Sequence, residues 1–110
     1  MAVIGHFISG SVVDGTSGRS AAVFDPALGI ETKRLALADA SEVDKAVAAA
    51  KLAFPAWRDT SLAKRQAVIF NFRELLNERK GELAELITQE HGKVLSDALG
   101  EITRGQEVRS

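Results

Sequence analysis

The apolar positions change period near residue 40. Before it they come in short runs broken by small, turn-forming residues. Phe7-Ile8 and Val12-Val13 flank Ser9-Gly10-Ser11, which predicts a β-hairpin. Asp14-Gly15-Thr16-Ser17-Gly18 is a second turn cluster. Ala21-Ala22-Val23-Phe24 predicts a third strand, closed at Asp25-Pro26 because proline fixes its own φ and offers no N–H to a ladder. Ala27-Leu28-Gly29 turns the chain, and Glu31 to Leu37 alternates like a surface strand. Four short strands with few large apolar residues build little core and need something to lie on.

After residue 40 the period becomes helical. Ser41 is the expected cap of a first helix, with Asp44 as a capping-box partner. Val43, Val47, Ala50, Phe54 and Trp57 mark one stripe, and Pro55 is expected to end or kink the helix near Phe54. Thr60 or Ser61 caps the next helix, whose stripe is Ala63, Ile69, Phe72, Leu75 and Leu76, widened by Val68-Ile69-Phe70. The pattern pauses at Lys80-Gly81 and resumes with Leu83, Leu86 and Ile87. Gly92 suits a left-handed cap, and Ser96 is the expected cap of a last helix facing inward through Leu99 and Ile102. The pattern therefore predicts an α+β chain: N-terminal β-hairpins over residues 1–40, then three or four helices over 41–110. Composition slightly favours a small self-contained α+β core over an apolar face that a further domain covers.

The totals remove several function classes. A chain of 110 residues is enough for one small domain, and a compact one buries roughly 65% of its unfolded surface, so folding alone is marginal. With 14 Lys+Arg against 15 Asp+Glu the net charge is −1, which gives no reason to expect nucleic acid or an anionic membrane as partner. Cysteine is absent, and His6 and His91 have no metal-ligand spacing, so no metal site is expected. No apolar run spans a membrane and no targeting segment opens the sequence, which makes the cytoplasm the default expectation.

Candidate chemistry is sparse. Gly92-Lys93 invites a phosphate-loop reading, but that motif needs a glycine where Ile87 stands and Ser or Thr where Val94 stands. The turn reads better as a helix C-cap. His91 has no acid or nucleophile paired with it by sequence, and neither has Glu90. Glu74, Glu78, Glu82 and Glu85 with Arg73, Arg79 and Lys80 form a solvated helix face. Phe54, Trp57, Phe70 and Phe72 are core or interface, since no basic stripe accompanies them. Taken by itself, Arg104 reads as a solvated helix arginine paired with Glu101 or Glu107, three residues away on either side.

Taken in order, several motifs resemble the N-terminal region of the aldehyde dehydrogenase superfamily. They are His6-Phe7-Ile8-Ser9-Gly10, Phe24-Asp25-Pro26-Ala27-Leu28-Gly29 (Asp where the family has Asn), the alanine-rich helix from Ala46 ending in Phe54-Pro55-Ala56-Trp57, Arg65, and Glu90-His91-Gly92-Lys93. Phe70 to Leu76 and Gly100 to Val108 look like the methylmalonate-semialdehyde dehydrogenase branch. The resemblance implies a parent enzyme of α/β class with a Rossmann-type nucleotide-binding domain. It implies an enzyme that uses NAD and coenzyme A to convert malonate or methylmalonate semialdehyde to acetyl-CoA or propionyl-CoA with loss of carbon dioxide. Such enzymes are tetramers serving valine and inositol breakdown. The expected partners are thus the semialdehyde, the remainder of the dehydrogenase and further subunits. The resemblance further implies that Arg104 binds the substrate carboxylate, where a guanidinium can give two parallel charge-assisted hydrogen bonds.

There are departures: Val12 stands where the family usually has Trp, and Arg109-Ser110 replaces an apolar helical continuation. The family's catalytic cysteine, its glutamate, its oxyanion asparagine and its nucleotide-binding glycine loop have no counterpart among these residues. No catalytic or cofactor-binding residue is therefore assigned. These residues are expected to be inactive alone and to bind no cofactor unaided. Two other readings stay open: a truncated interaction module pairing with a full-length subunit, and the N-terminal segment of a non-acylating aldehyde or succinate-semialdehyde dehydrogenase.

Overall fold

The computed structural model describes residues 2–107. Five short strands precede four helices, so the chain is α+β, as its periodicity predicts. It divides into two compact units: residues 2–24 with 30–59, and residues 25–29 with 60–107.

The first unit holds the strands β1 (Ala2–Ile4), β2 (His6–Ile8), β3 (Ser11–Val13), β4 (Ser20–Asp25) and β5 (Ile30–Ala36), with helix α1 (Ala40–Asp59). β2 and β3 form the predicted antiparallel hairpin, with Phe7 opposite Val12 and Ile8 opposite Ser11. The turn is only two residues, because Ser11 already belongs to the strand. Ser9 (φ 53°) and Gly10 (φ 81°) are both left-handed, as a twist-matched two-residue hairpin turn requires. β5 lies between β1 and β4. Strand β1 is absent from the sequence reading: Ala2-Val3-Ile4 has no alternation or turn signal of its own. It exists because β5 offers it a parallel edge, Ala2 beside Lys33 and Ile4 beside Leu35.

Two expectations for α1 are corrected. Its cap is Asp39 rather than Ser41. The Asp39 Oδ1 accepts from the Glu42 N–H at 2.9 Å, and the Glu42 Oε2 accepts from the Asp39 N–H at 3.0 Å. This is a reciprocal capping box two residues earlier than Ser41 and Asp44. The Ser41 hydroxyl instead donates to Asp39 Oδ1 at 2.8 Å. Nor does Pro55 end the helix, which continues to Asp59. The missing N–H leaves the carbonyl of Lys51 without its usual partner, and Lys51 is exposed, so water can serve it.

The second unit is the turn at 25–29 with α2 (Leu62–Glu78), α3 (Lys80–His91) and α4 (Leu95–Glu107). Ser61 caps α2, its side chain accepting from the Lys64 N–H at 3.3 Å. The pause in the pattern is a break at Arg79 between α2 and α3. Gly92 closes α3 at φ 87°, its N–H donating to the Thr88 carbonyl at 2.9 Å. Ser96 does not cap α4. The helix starts at Leu95, the Val94 carbonyl accepts from the N–H groups of Asp97 and Ala98, and Ser96 sits within the first turn.

The self-contained core that composition slightly favours is not there. Among the described residues the buried hydrophobic ones are Ala84 on α3 and Ala98 on α4. Their small side chains let these two helices pack closely. The stripe of α1 lies open, with Val47 at 50% and Phe54 at 55% exposure, and so does Phe70 of α2 at 52%. The chain exposes 8060 Å². Two separate compact bodies of half its mass would expose only about 7,100 Å². Phe54, Trp57, Phe70 and Phe72 are thus interface-type surface rather than core.

Candidate functional site

Glu101 is the centre of the charged group on α4, and its partner is Lys93. The Lys93 Nζ donates to Glu101 Oε1 in an ion pair with the two side chains 27% and 40% exposed. The left-handed cap at Gly92 turns the chain out of α3, and Lys93 then reaches Glu101 on the next helix. That hydrogen bond, with the charges of Lys93, His91 and Arg104, holds the Glu101 carboxyl below the ordinary glutamate value.

Arg104 lies in the last turn of α4 and is exposed. It pairs with neither Glu101 nor Glu107. Among the described residues its guanidinium has no hydrogen bond or ion pair, though it feels the charge of Glu101. The guanidinium folds back over Gly100. A Cβ built on Gly100 would lie 3.9 Å from both Nη1 and Nη2, so the glycine leaves room without forcing the pose. The Thr103 hydroxyl donates to the Leu99 carbonyl at 3.1 Å on the same helix. A fork of donors, unpaired and open to solvent, is chemically suited to a carboxylate.

The other sequence candidates resolve differently. Gly92-Lys93 is a helix cap followed by an ion-pairing lysine, and no phosphate cradle forms there. His91 is the exposed last residue of α3. Arg79 and Glu82 on the charged face form a two-pronged pair at 3.0 and 2.8 Å that keeps Glu82 low, and both are solvated. Arg65 lies in the first turn of α2, and its Nε is buried without a hydrogen-bond partner among the described residues. No helix among the described residues is long and apolar enough to cross a membrane.

Sequence reasoning passed over Glu42, which is 5% exposed. Its Oε1 accepts from the Thr16 N–H at 2.6 Å and the Thr16 hydroxyl at 3.1 Å, while Oε2 serves Asp39. The His6 Nε2 lies 3.6 Å from Oε1, beyond hydrogen-bond length, but is an ion-pair neighbour when protonated. Backbone donation from Asp39 and then Thr16 holds the carboxyl below its ordinary value. A cavity of about 380 Å³ opens beside this group, lined by His6, Ser9, Asp14, Thr16, Glu42 and Lys45. With both oxygens committed, Glu42 ties the 14–18 turn to the start of α1, with His6 of the β2–β3 hairpin beside it, which is a structural task. The Asp39-x-x-Glu42 spacing was the available signal.

The aldehyde dehydrogenase family model matches residues 12–109. The malonate-semialdehyde dehydrogenase of Pseudomonas aeruginosa is 45% identical over 97% of this chain and 21% of its own length. The human mitochondrial methylmalonate-semialdehyde/malonate-semialdehyde dehydrogenase [acylating] is 41% identical over 93% of this chain and 19% of its own. A solved structure from Sinorhizobium meliloti, a candidate methylmalonate-semialdehyde dehydrogenase complexed with NAD, superposes with a TM-score of 0.96 at 45% identity. It covers 98% of this chain, which covers 22% of that one. The chain thus spans about a fifth of the length of the curated relatives it matches. The β2–β3 hairpin, the 25–29 turn, the α3 cap and the helix bearing Arg104 all fall in or overlap the matched stretch, and the chain belongs to the aldehyde dehydrogenase family.

Proposed function

We propose that these residues form the N-terminal part of the dehydrogenase domain of an NAD-dependent, coenzyme A-acylating malonate- or methylmalonate-semialdehyde dehydrogenase. In that enzyme Arg104 binds the carboxylate that distinguishes the substrate from an ordinary aldehyde. The observation that carries the reading is the open guanidinium of Arg104. It has two carboxylates at helical spacing and pairs with neither. Two kinds of relative add support: one named as acylating, and one solved with NAD. Holding the carboxylate end fixes where the aldehyde carbon sits relative to a nucleophile that these residues do not supply. The segment alone therefore reduces no NAD. The open faces of α1 and α2 are covered by the rest of the dehydrogenase and its neighbouring subunits.

The test is Arg104→Leu in the full-length enzyme carrying this segment. KM for malonate semialdehyde should rise far more than KM for propanal, which has no carboxylate. Equal changes for both substrates remove the assignment.

A further inference from the structure

Glu101 stands three residues before Arg104 on α4, a spacing at which opposite charges on a helix meet. An unoccupied carboxylate there would be a permanent intramolecular rival to any substrate carboxylate, present at far higher local concentration. The rival is already engaged. Lys93, from the turn after Gly92, holds Glu101 Oε1, and Arg104 lies back over Gly100, unpaired among the described residues.

We propose that Lys93 is a positioning residue for substrate recognition: by occupying Glu101 it keeps the Arg104 guanidinium open to the carboxylate of a short semialdehyde. This rests on the carboxylate-binding reading of Arg104 and adds to it the residue that keeps that site vacant. Lys93 touches no substrate. Lys93 and Arg104 both act on Glu101 by charge, and only Lys93 is bonded to it. The left-handed backbone at Gly92 is part of the device, because it sends Lys93 towards α4.

The experiment compares Lys93→Met, Lys93→Arg, Lys93→Met/Glu101→Gln and Arg104→Leu in the full-length enzyme, with malonate semialdehyde and propanal as substrates. Lys93→Met should raise KM for malonate semialdehyde about two- to fivefold, the fraction of Arg104 that a helical ion pair would capture, and move propanal kinetics far less. Lys93→Arg should keep the wild-type ratio of the two KM values. The double variant should return to it, because removing the rival makes the lysine unnecessary. If Lys93→Met lowers kcat for both substrates and Glu101→Gln gives no rescue, Lys93 only supports the fold and the inference is overturned. An unchanged KM ratio in Lys93→Met alongside a selective Arg104→Leu defect also overturns it, while leaving the carboxylate reading intact. A non-selective Arg104→Leu defect removes that reading itself.

Discussion

Pro26 lies against Gly92. A Cβ built on Gly92 would come 3.0 Å from Pro26 Cγ and 3.6 Å from its Cβ. Two motifs far apart in sequence, the 25–29 turn and the cap of α3, therefore meet in one unit. The turn is well made for this. The Ala27 N–H donates to Asp25 Oδ1 at 2.9 Å and the Gly29 N–H to the Asp25 carbonyl at 2.8 Å. Asp in place of Asn changes nothing here, because the side-chain oxygen that accepts is common to both.

Gly92→Ala should destabilise the chain by about 1–2 kcal/mol from the left-handed φ alone, with the proline contact adding to it. Chemical denaturation of the two proteins would show it as a lower midpoint at unchanged slope. An unaltered midpoint would mean that the cap relaxes freely and that Pro26 does not press on it.

The Asp39–Glu42 capping box predicts an acid limit. Both carboxyls titrate below their ordinary values because N–H groups donate to their ionised forms. A depressed folded value means that the stabilisation is fully present above the ordinary glutamate value of 4.5 and is lost as pH falls through the lowered one. Thermal midpoints followed by circular dichroism should therefore drop steeply below about pH 4. In Glu42→Gln the neutral midpoint should be lower and that part of the acid dependence weaker. An amide oxygen can accept from Thr16, but the amide nitrogen cannot accept from the Asp39 N–H.

The open face of α2 predicts opposite outcomes in two settings. Phe70 is about half exposed. In the isolated chain, Phe70→Ser should change stability by less than about 0.5 kcal/mol and reduce concentration-dependent association in sedimentation velocity. In the full-length enzyme the same change should lower the thermal midpoint, as follows from the proposal that the rest of the dehydrogenase covers that face. A large loss in the isolated chain would instead place Phe70 in a core of this segment's own.

Local chemistry made much of this fold readable. The β2–β3 hairpin, the cap at Ser61 and the left-handed Gly92 each follow from residues within a few positions of one another. Failures came where two local solutions compete or where the partner is distant. Asp39-x-x-Glu42 and Ser41-x-x-Asp44 are overlapping capping boxes, and the longer glutamate side chain reaches back where aspartate does not. Strand β1 carries no signal without β5. Pro55 was read by its usual effect, but its lost hydrogen bond falls on an exposed turn of α1. Arg104 was visible as a residue and by resemblance. That Lys93 would take Glu101 from it was not, because eight residues and a left-handed turn separate that pair.

The parallel register of β1 on β5 has a consequence for the order of assembly. Val3 pairs with Arg34, so β1 is synthesised well before the strand it needs. The hairpin β2–β3 and the β4 segment lie between them and can form while β1 still waits. Closing so long a loop for three residues of ladder returns little free energy against its entropy. The β1 amides should thus be among the first of the unit to exchange with solvent, as the strand detaches and re-docks while the hairpin beside it holds.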